Sequence, residues 1–488
     1  MKLNNINVGE AITHAEELIN KDKSILSETK KSINVILMIC RTMMERLSLD
    51  SHNSSKPPSS DFGNTGQEQK EKDNDEDESK TKKKKQSNRK PGGQPGRQGC
   101  QLKPVDNPDE IKSLKLDKRT LPRGGHYQPD GFEARQLFDL EISLHVTEYR
   151  AEVWIDEQGN RYVAPFPEGV TRPAQYGVGI QAHSVYLSQY QMIPYHRMMN
   201  HFEDQAGIPI SVGTLHNFNR RAYDLLERFE AITVQKLINS TILHGDETGI
   251  NVNSKRLWLH VACNDKWSLF APHAKRGYQA MVDMGVLPHF RGILCHDHWS
   301  SYYRFDQCEH SLCNAHHERE LTWSIEQDNQ QWAQDFLDLL FKIKDKTEAN
   351  GGELTARQQT YYQEKYRQCL LEAEKECPAN TKRKAGQRGR IKQSKSRNLL
   401  VRLRDFMDDV LRFTTSPDIP FTNNQGENDI RMTKVKLKIS GCFRSFEGAQ
   451  IFCRIRGYLV TCRKHGIQPT EALKLLFSGK LPDFVDSN

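Results

Sequence analysis

Thr241-Ile-Leu-His-Gly-Asp246-Glu-Thr-Gly249 and Gly292-Ile-Leu-Cys-His-Asp297-His-Trp299 are the stretches whose reading decides the fold. Each is a short apolar run that closes on an aspartate. Between them lie two more strand-like runs, Leu257–Ala262 and Trp267–Ala271, and then a short helical stretch. Apolar runs of this length bounded by Gly and polar residues read as buried strands. Two aspartates closing β-runs, with a meander and a helix between them, form the arrangement that a metal-dependent nuclease core needs. His310-Ser-Leu-Cys313-Asn-Ala-His316-His317 follows directly.

Phosphodiester chemistry requires an activated nucleophilic oxygen and a neutralised leaving oxygen. Two divalent ions about 3.5–4 Å apart supply both. Hard cations such as Mg²⁺ or Mn²⁺ prefer oxygen ligands, hence Asp and Glu. Asp246 and Asp297 are 51 residues apart and can lie side by side on neighbouring strands. Glu247 is the rival of Asp246, but adjacent residues of a strand point to opposite faces, so only one of them can face the ions. A third carboxylate is needed, and Glu427, 130 residues beyond Asp297, could be presented by a helix packed near the strand ends. It lies in Pro420-Phe-Thr-Asn-Asn-Gln-Gly-Glu427-Asn-Asp-Ile-Arg431, where Asn423 or Asn424 can cap a helix with Glu427 in its first turn.

The 488-residue chain is too long for one compact domain. Its net charge of +7 hides strong local extremes. Eleven cysteines without a regular framework, and no secretory signal, point to a reducing, cytoplasmic, nucleoid-associated setting. No apolar run approaches the roughly 18 residues that span a bilayer, so no membrane partner is expected.

Residues 8–49 read as one helix with Ile12, Ile19, Leu26, Ile33, Cys40 and Leu47 seven apart. Polar residues interrupt the companion seam at Asp22 and Thr29. Both a dimeric coiled coil and a single helix docked on its own core remain open. Residues 51–107 are a charged linker too poor in apolar residues to fold alone. Residues 108–175 read as a small β-rich module, with a hairpin from Ala134–Tyr149 and Ala151–Tyr162 around a turn at Asp156–Asn160. Residues 176–238 are helical. Tyr195–Ala206, a glycine connection and a helix capped by Ser211 form a helix-turn-helix pattern, with Asn217, Arg220 and Arg221 as DNA contacts. An ordinary helix-packing unit is the alternative.

The catalytic core is expected over 239–325 and 399–478, split by a helical basic insertion over 326–398 and followed by a tail, 479–488. Within the insertion Lys382, Arg383, Lys384, Arg388 and Arg390 head a run with no acidic residue, suited to phosphates or to a solvated linker. Beyond Glu427, Arg431, Lys434, Lys436, Lys438 and Arg444 extend the basic surface. Cys308, Cys313, His316 and His317 could together be considered for zinc. Structural zinc sites pair their ligands more tightly, so zinc is not expected there. Cys313 and His316 read instead as structural or phosphate-side residues.

The Asp246, Asp297 and Glu427 motifs, with Lys434-Val-Lys-Leu-Lys-Ile-Ser-Gly-Cys-Phe-Arg-Ser445 and Thr461-Cys-Arg-Lys-His-Gly466, resemble the insertion sequence 66 family of DDE transposases. The resemblance covers most of residues 180–478 and takes in the linker motifs. It implies an α/β fold, a ribonuclease-H-like core with a mixed sheet and a large helical insertion. It also implies Asp246, Asp297 and Glu427 as ligands of two Mg²⁺ or Mn²⁺ ions. Cleavage at transposon ends and joining of the 3′-hydroxyl to target DNA are further implications. Double-stranded DNA, a homo-oligomer and accessory proteins of the same element are the implied partners. The Cys313-x-x-His316 pair resembles a signature found after the second Asp in several such enzymes. Two departures stand out: residues 108–172 lack the cysteine pairs of a zinc-finger-like module, and Asn428 replaces the usual Arg after the third acid. A decayed transposase acting as a DNA-binding protein, and a ribonuclease-H-like nuclease without strand transfer, are the competing functions.

Overall fold

The computed structural model describes residues 2–3, 6–21, 27–47, 102–121, 123–128, 130–140, 142–381 and 391–486. The chain divides into two units, Met1–Thr65 with Thr147–Asn488, and Gly66–Val146.

In the first unit, short strands β1 (Lys2–Leu3) and β2 (Ile6–Asn7) pair antiparallel. They precede two helices, α1 (Val8–Lys21) and α2 (Ser27–Leu47), which pack on each other. The single helix expected over 8–49 is therefore two. Residues 22–26, where the expected seam carries Asp22, lie outside the described residues. The short hairpin β3 (Val153–Ile155) and β4 (Arg161–Val163) closes over the expected turn, where the Asp156 carboxylate accepts from Gln158 and Asn160.

The second unit holds most of the stretch expected to be β-rich, and its described residues form no strand. Ala134–Tyr149 was expected to be half of a hairpin. Its apolar residues alternate, yet Leu137, Leu140 and Val146 are exposed. Alternation marks a strand only where a neighbouring strand and a core receive it.

The core sheet contains β5 (Ile242–Val252), β6 (Lys255–Cys263), β7 (Ser268–His273), β8 (Ile293–His296) and β9 (Glu309–Leu312), ordered β7-β6-β5-β8-β9. β5, β6 and β7 form an antiparallel meander, while β5, β8 and β9 run parallel. The fold is thus mixed α/β. β5 continues past Asp246 to Val252 because β6 pairs with it along its whole length. The crossover into β8 passes through α7 (Tyr278–Asp283). At Gly292, a Cβ would lie 2.2 Å from the Thr241 carbonyl, so only glycine allows the chain to enter beside β5. The next residue, Ile293, donates its N–H to that same carbonyl at 2.8 Å.

The helices before the sheet are α3 (Val178–Val185), α4 (Tyr195–Ala206), α5 (Val212–Leu225) and α6 (Glu227–Ile238). Gly207 is left-handed at the end of α4, with φ 61°, and the Ser211 side chain caps α5 by accepting from the Thr214 N–H. After the sheet come α8 (Asn314–Asp328), α9 (Gln331–Ala349), α10 (Ala356–Glu376), α11 (Lys395–Asp405) and α12 (Met407–Leu411). They share a core built on Leu321, Trp332, Phe336, Tyr366, Leu400 and Leu403. A reciprocal Thr355–Gln358 capping box starts α10. α13 (Asn424–Ser440), α14 (Phe446–Lys464) and α15 (Pro469–Phe477) complete the unit. α13 lies on β5 and β6, and α14 on β7. Among the described residues no helix is long and apolar enough to cross a membrane.

Candidate active site

The register of β5 and β8 brings the two aspartates together. His244 lies opposite Cys295 in this parallel pair. Continuing that register by two residues sets Asp246 level with Asp297. Asp297 follows the last residue of β8, and its carboxylate accepts the Trp299 N–H at 3.1 Å. The Asp246 carboxylate accepts the Glu247 N–H at 2.8 Å.

Glu427 occupies the first turn of α13, as anticipated, but Asn423 does not cap that helix through its side chain. The Asn423 amide turns to β5 instead. Its Oδ1 lies 2.7 Å from His244 Nδ1, and its Nδ2 donates to the Gly245 carbonyl at 2.8 Å. Its backbone N–H donates to Cys313 Sγ at 3.1 Å. One buried side chain therefore fastens the start of the Glu427 helix to the strand that carries Asp246.

Asp246 feels the charges of the other two acids. Burial, first, and then the charges of Glu247, Asp297 and Glu427 push the Asp246 carboxyl up to about 7. Burial also raises Asp297, against the opposing pull of the Trp299 N–H and Arg276. Among the described residues the three metal-ligating side chains with donor atoms within 4.8 Å of one another are Cys313, His316 and Glu427, so the oxygens of Asp246, Asp297 and Glu427 are not drawn that close together.

Glu247 is occupied differently. Its side chain is only 2% exposed, and Arg276 reaches it at 2.6 Å. Tyr302 donates its hydroxyl to the other carboxylate oxygen at 2.8 Å. Burial and the charge of Asp297 still raise its pKa. Arg276 in turn stacks on Trp299 and Trp258, 4.2 and 4.9 Å from the ring centres. Sequence reading missed Arg276, Trp258 and Tyr302, since nothing local marks a contact spanning 29 or 55 residues. The alternation of strand residues was the available signal that Glu247 needs a separate partner.

Cys313 and His316 lie at the start of α8, against Glu427. Cys313 Sγ is 4.0 Å and His316 Nδ1 3.7 Å from Glu427 Oε1, with Arg319 at 3.6 Å from the same atom. Cys308 and His317 do not join them. The Cys308 thiol donates to the Phe305 carbonyl, and His317 Nδ1 is paired with Asn314 at 3.0 Å. The four-residue set considered for zinc is not assembled.

Of the residues proposed to touch DNA, Asn217, Arg220 and Arg221 lie exposed on α5. Arg220 pairs with Asp224 and Glu447, and Arg221 donates to Gln181 at 2.9 Å. The neighbouring Asn219 is fully buried and holds Tyr195, Leu215 and Ser188 together, a core role. Lys382, Arg383, Lys384, Arg388 and Arg390 lie outside the described residues. In the same basic run Arg397 is buried and pairs with Glu374. Arg431, Lys434, Lys438 and Arg444 are exposed on and just after α13, whereas Lys436 is half-buried and burial lowers its pKa.

A 69-residue stretch is 39% identical to the uncharacterized protein y4jO of Sinorhizobium fredii (strain NBRC 101917 / NGR234), covering 14% of this chain and 22% of that protein. The chain thus spans about a fifth of the length of this curated relative. The profile of the Transposase IS66 family matches residues 173–451, more than half of the 488 and including all three acids. The chain belongs to the Transposase IS66 family.

Proposed function

We propose that this transposase cuts the ends of its element and joins the freed 3′-hydroxyl to target DNA, with Asp246, Asp297 and Glu427 holding two Mg²⁺ or Mn²⁺ ions in a ribonuclease-H-like core. The observation that carries the reading is the parallel β5–β8 pairing, whose last pair, His244 opposite Cys295, lies two residues before Asp246 and Asp297, with the start of the Glu427 helix fastened to β5 through Asn423. Ligands bind beyond the carboxyl ends of parallel strands, which is where Asp297 lies. Bound divalent ions would activate the attacking oxygen and neutralise the leaving one. The chain's own residues supply oxygen ligands, fix their spacing and keep them partly from water. Arg276 holds Glu247 aside from the pair. Arg431, Lys434, Lys438 and Arg444 extend from the Glu427 helix as a basic surface for phosphates. A homo-oligomer that pairs two element ends, assisted by accessory proteins of the element, completes the reading.

A joining assay with the full chain, Mg²⁺ and duplexes carrying the element's ends tests it. Asp246→Asn, Asp297→Asn and Glu427→Gln should each abolish cutting and joining while the duplex remains bound. Wild-type activity in any of them removes that residue from the site. Cutting without joining by the wild type would establish a nuclease instead.

A further inference from the structure

Among the described residues, Cys313, His316 and Glu427 are the three metal-ligating side chains whose donor atoms all lie within 4.8 Å of one another. The set mixes a thiol, an imidazole and a carboxylate, unlike the all-oxygen acid pair beside it. Three further observations point to an ion. His316 Nδ1 is buried, has no hydrogen-bond partner, and faces Glu427 Oε1 at 3.7 Å. Cys313 Sγ receives the Asn423 N–H at 3.1 Å, which offsets only part of the burial that pushes this thiol up to about 11, so its proton leaves only if a cation replaces it. The same sulfur lies at the N-terminus of α8, a 15-residue helix, where a negative charge is favoured.

We propose that Cys313, His316 and Glu427 form a binding site for one Zn²⁺ ion, with water as the fourth ligand. Sulfur and imidazole select zinc over Mg²⁺, and three protein ligands with one open position suit its tetrahedral preference. Loading releases the Cys313 proton to solvent, leaves His316 as neutral imidazole, and lets the thiolate and carboxylate balance the dication. The present donor separations need only a small inward closure to reach bonds of about 2.0–2.3 Å. Arg319, 3.6 Å from Glu427 Oε1, competes for that oxygen and is displaced on loading. The three contacts of Glu427 all use Oε1. This leaves Oε2 for the ions proposed at Asp246 and Asp297. Glu427 would then join this zinc to the proposed Mg²⁺ pair, and only this sharing rests on the proposed function.

The test is metal content of the full chain after equilibration with Zn²⁺, together with the spectrum of the Co²⁺-loaded protein. One equivalent of zinc and a sulfur-to-cobalt charge-transfer band are expected. Cys313→Ser should remove the band, and both Cys313→Ser and His316→Ala should weaken zinc binding by at least about tenfold, the lower bound seen even for outer-shell changes. Asp246→Asn and Asp297→Asn should keep the zinc, which separates this site from the proposed catalytic pair. Substoichiometric zinc in the wild type, a missing charge-transfer band, or unchanged binding in folded Cys313→Ser protein overturns the proposal. The wild-type measurements decide the matter even if a variant fails to fold.

Discussion

Replacing Asn423 by alanine should damage both the fold and the proposed metal site. The side chain is 2% exposed and serves two buried partners, His244 Nδ1 and the Gly245 carbonyl. Truncation leaves each of them without its partner, at about 1–3 kcal/mol per group. The expected loss is therefore roughly 2–6 kcal/mol, reduced if water enters the space. Stability lost at a core site is ordinary. The distinctive expectation is functional. Asn423 is the residue before α13, so its loss frees the Glu427 helix from the Asp246 strand. Metal affinity should fall by more than stability predicts. Urea unfolding gives the first quantity, and the Mn²⁺ dependence of DNA cleavage at a temperature where the variant stays folded gives the second. Asn423→Asp is the companion variant. It keeps the acceptor for His244 but turns the donor to Gly245 into a repulsive oxygen. A variant within about 0.5 kcal/mol of wild type, with an unchanged Mn²⁺ requirement, would falsify the view that this side chain ties the two halves of the site together.

Three further outcomes follow from the same geometry. Asp246 is held near 7 against an ordinary value of 3.8. Below pH 4 both folded and unfolded chains are protonated there and nothing is lost. Between pH 4 and 7 the folded chain retains a proton that the unfolded chain releases, so stability falls as pH rises, and the penalty is complete above 7. Asp246→Asn lacks that penalty and should melt higher than wild type at pH 8 in EDTA, by an amount of order 1–3 kcal/mol after allowing for partial exposure. Adding Mg²⁺ should reverse the order, and a variant less stable at every pH contradicts this account. Arg276→Ala leaves the Glu247 charge buried with only the Tyr302 hydroxyl for a partner, which should cost roughly 2–4 kcal/mol in unfolding experiments. Arg276→Ala with Glu247→Gln should recover most of it, and no recovery would mean that Arg276 acts through its tryptophan contacts. Lys434→Ala and Arg444→Ala should each reduce the salt slope of duplex binding by about one, and an unchanged slope takes that residue off the DNA path.

The two aspartates were legible because strands write themselves locally: an apolar run, a glycine, an acid. Parallel pairing of β5 and β8 then ends two residues before each of them, without any further sequence signal. Glu427 was legible as a first-turn acid of a helix, and only the family motif attached it to the pair. Asn423 was misjudged because capping is a local rule, and a tertiary partner, His244, claimed the amide. Arg220 had the exposure and charge of a DNA contact, while its pairing with Glu447, far along the chain, is invisible to spacing. Ala134–Tyr149 had the period of a strand without the neighbour that makes one. Arg397 looked like part of a phosphate-binding run, yet packing drew it inward to Glu374.

Gly292 has a reach beyond the turn it permits. A strand advances about 3.3 Å per residue and alternates its faces. Slipping β8 by one step would turn Asp297 to the far side of the sheet. Slipping it by two would carry the carboxylate about 6.6 Å along β5, nearly twice the ion spacing of about 3.5–4 Å that two-metal chemistry tolerates. The missing side chain at Gly292 thus serves as the zero mark of a ruler, and the distance between the two aspartates is read from it five residues downstream.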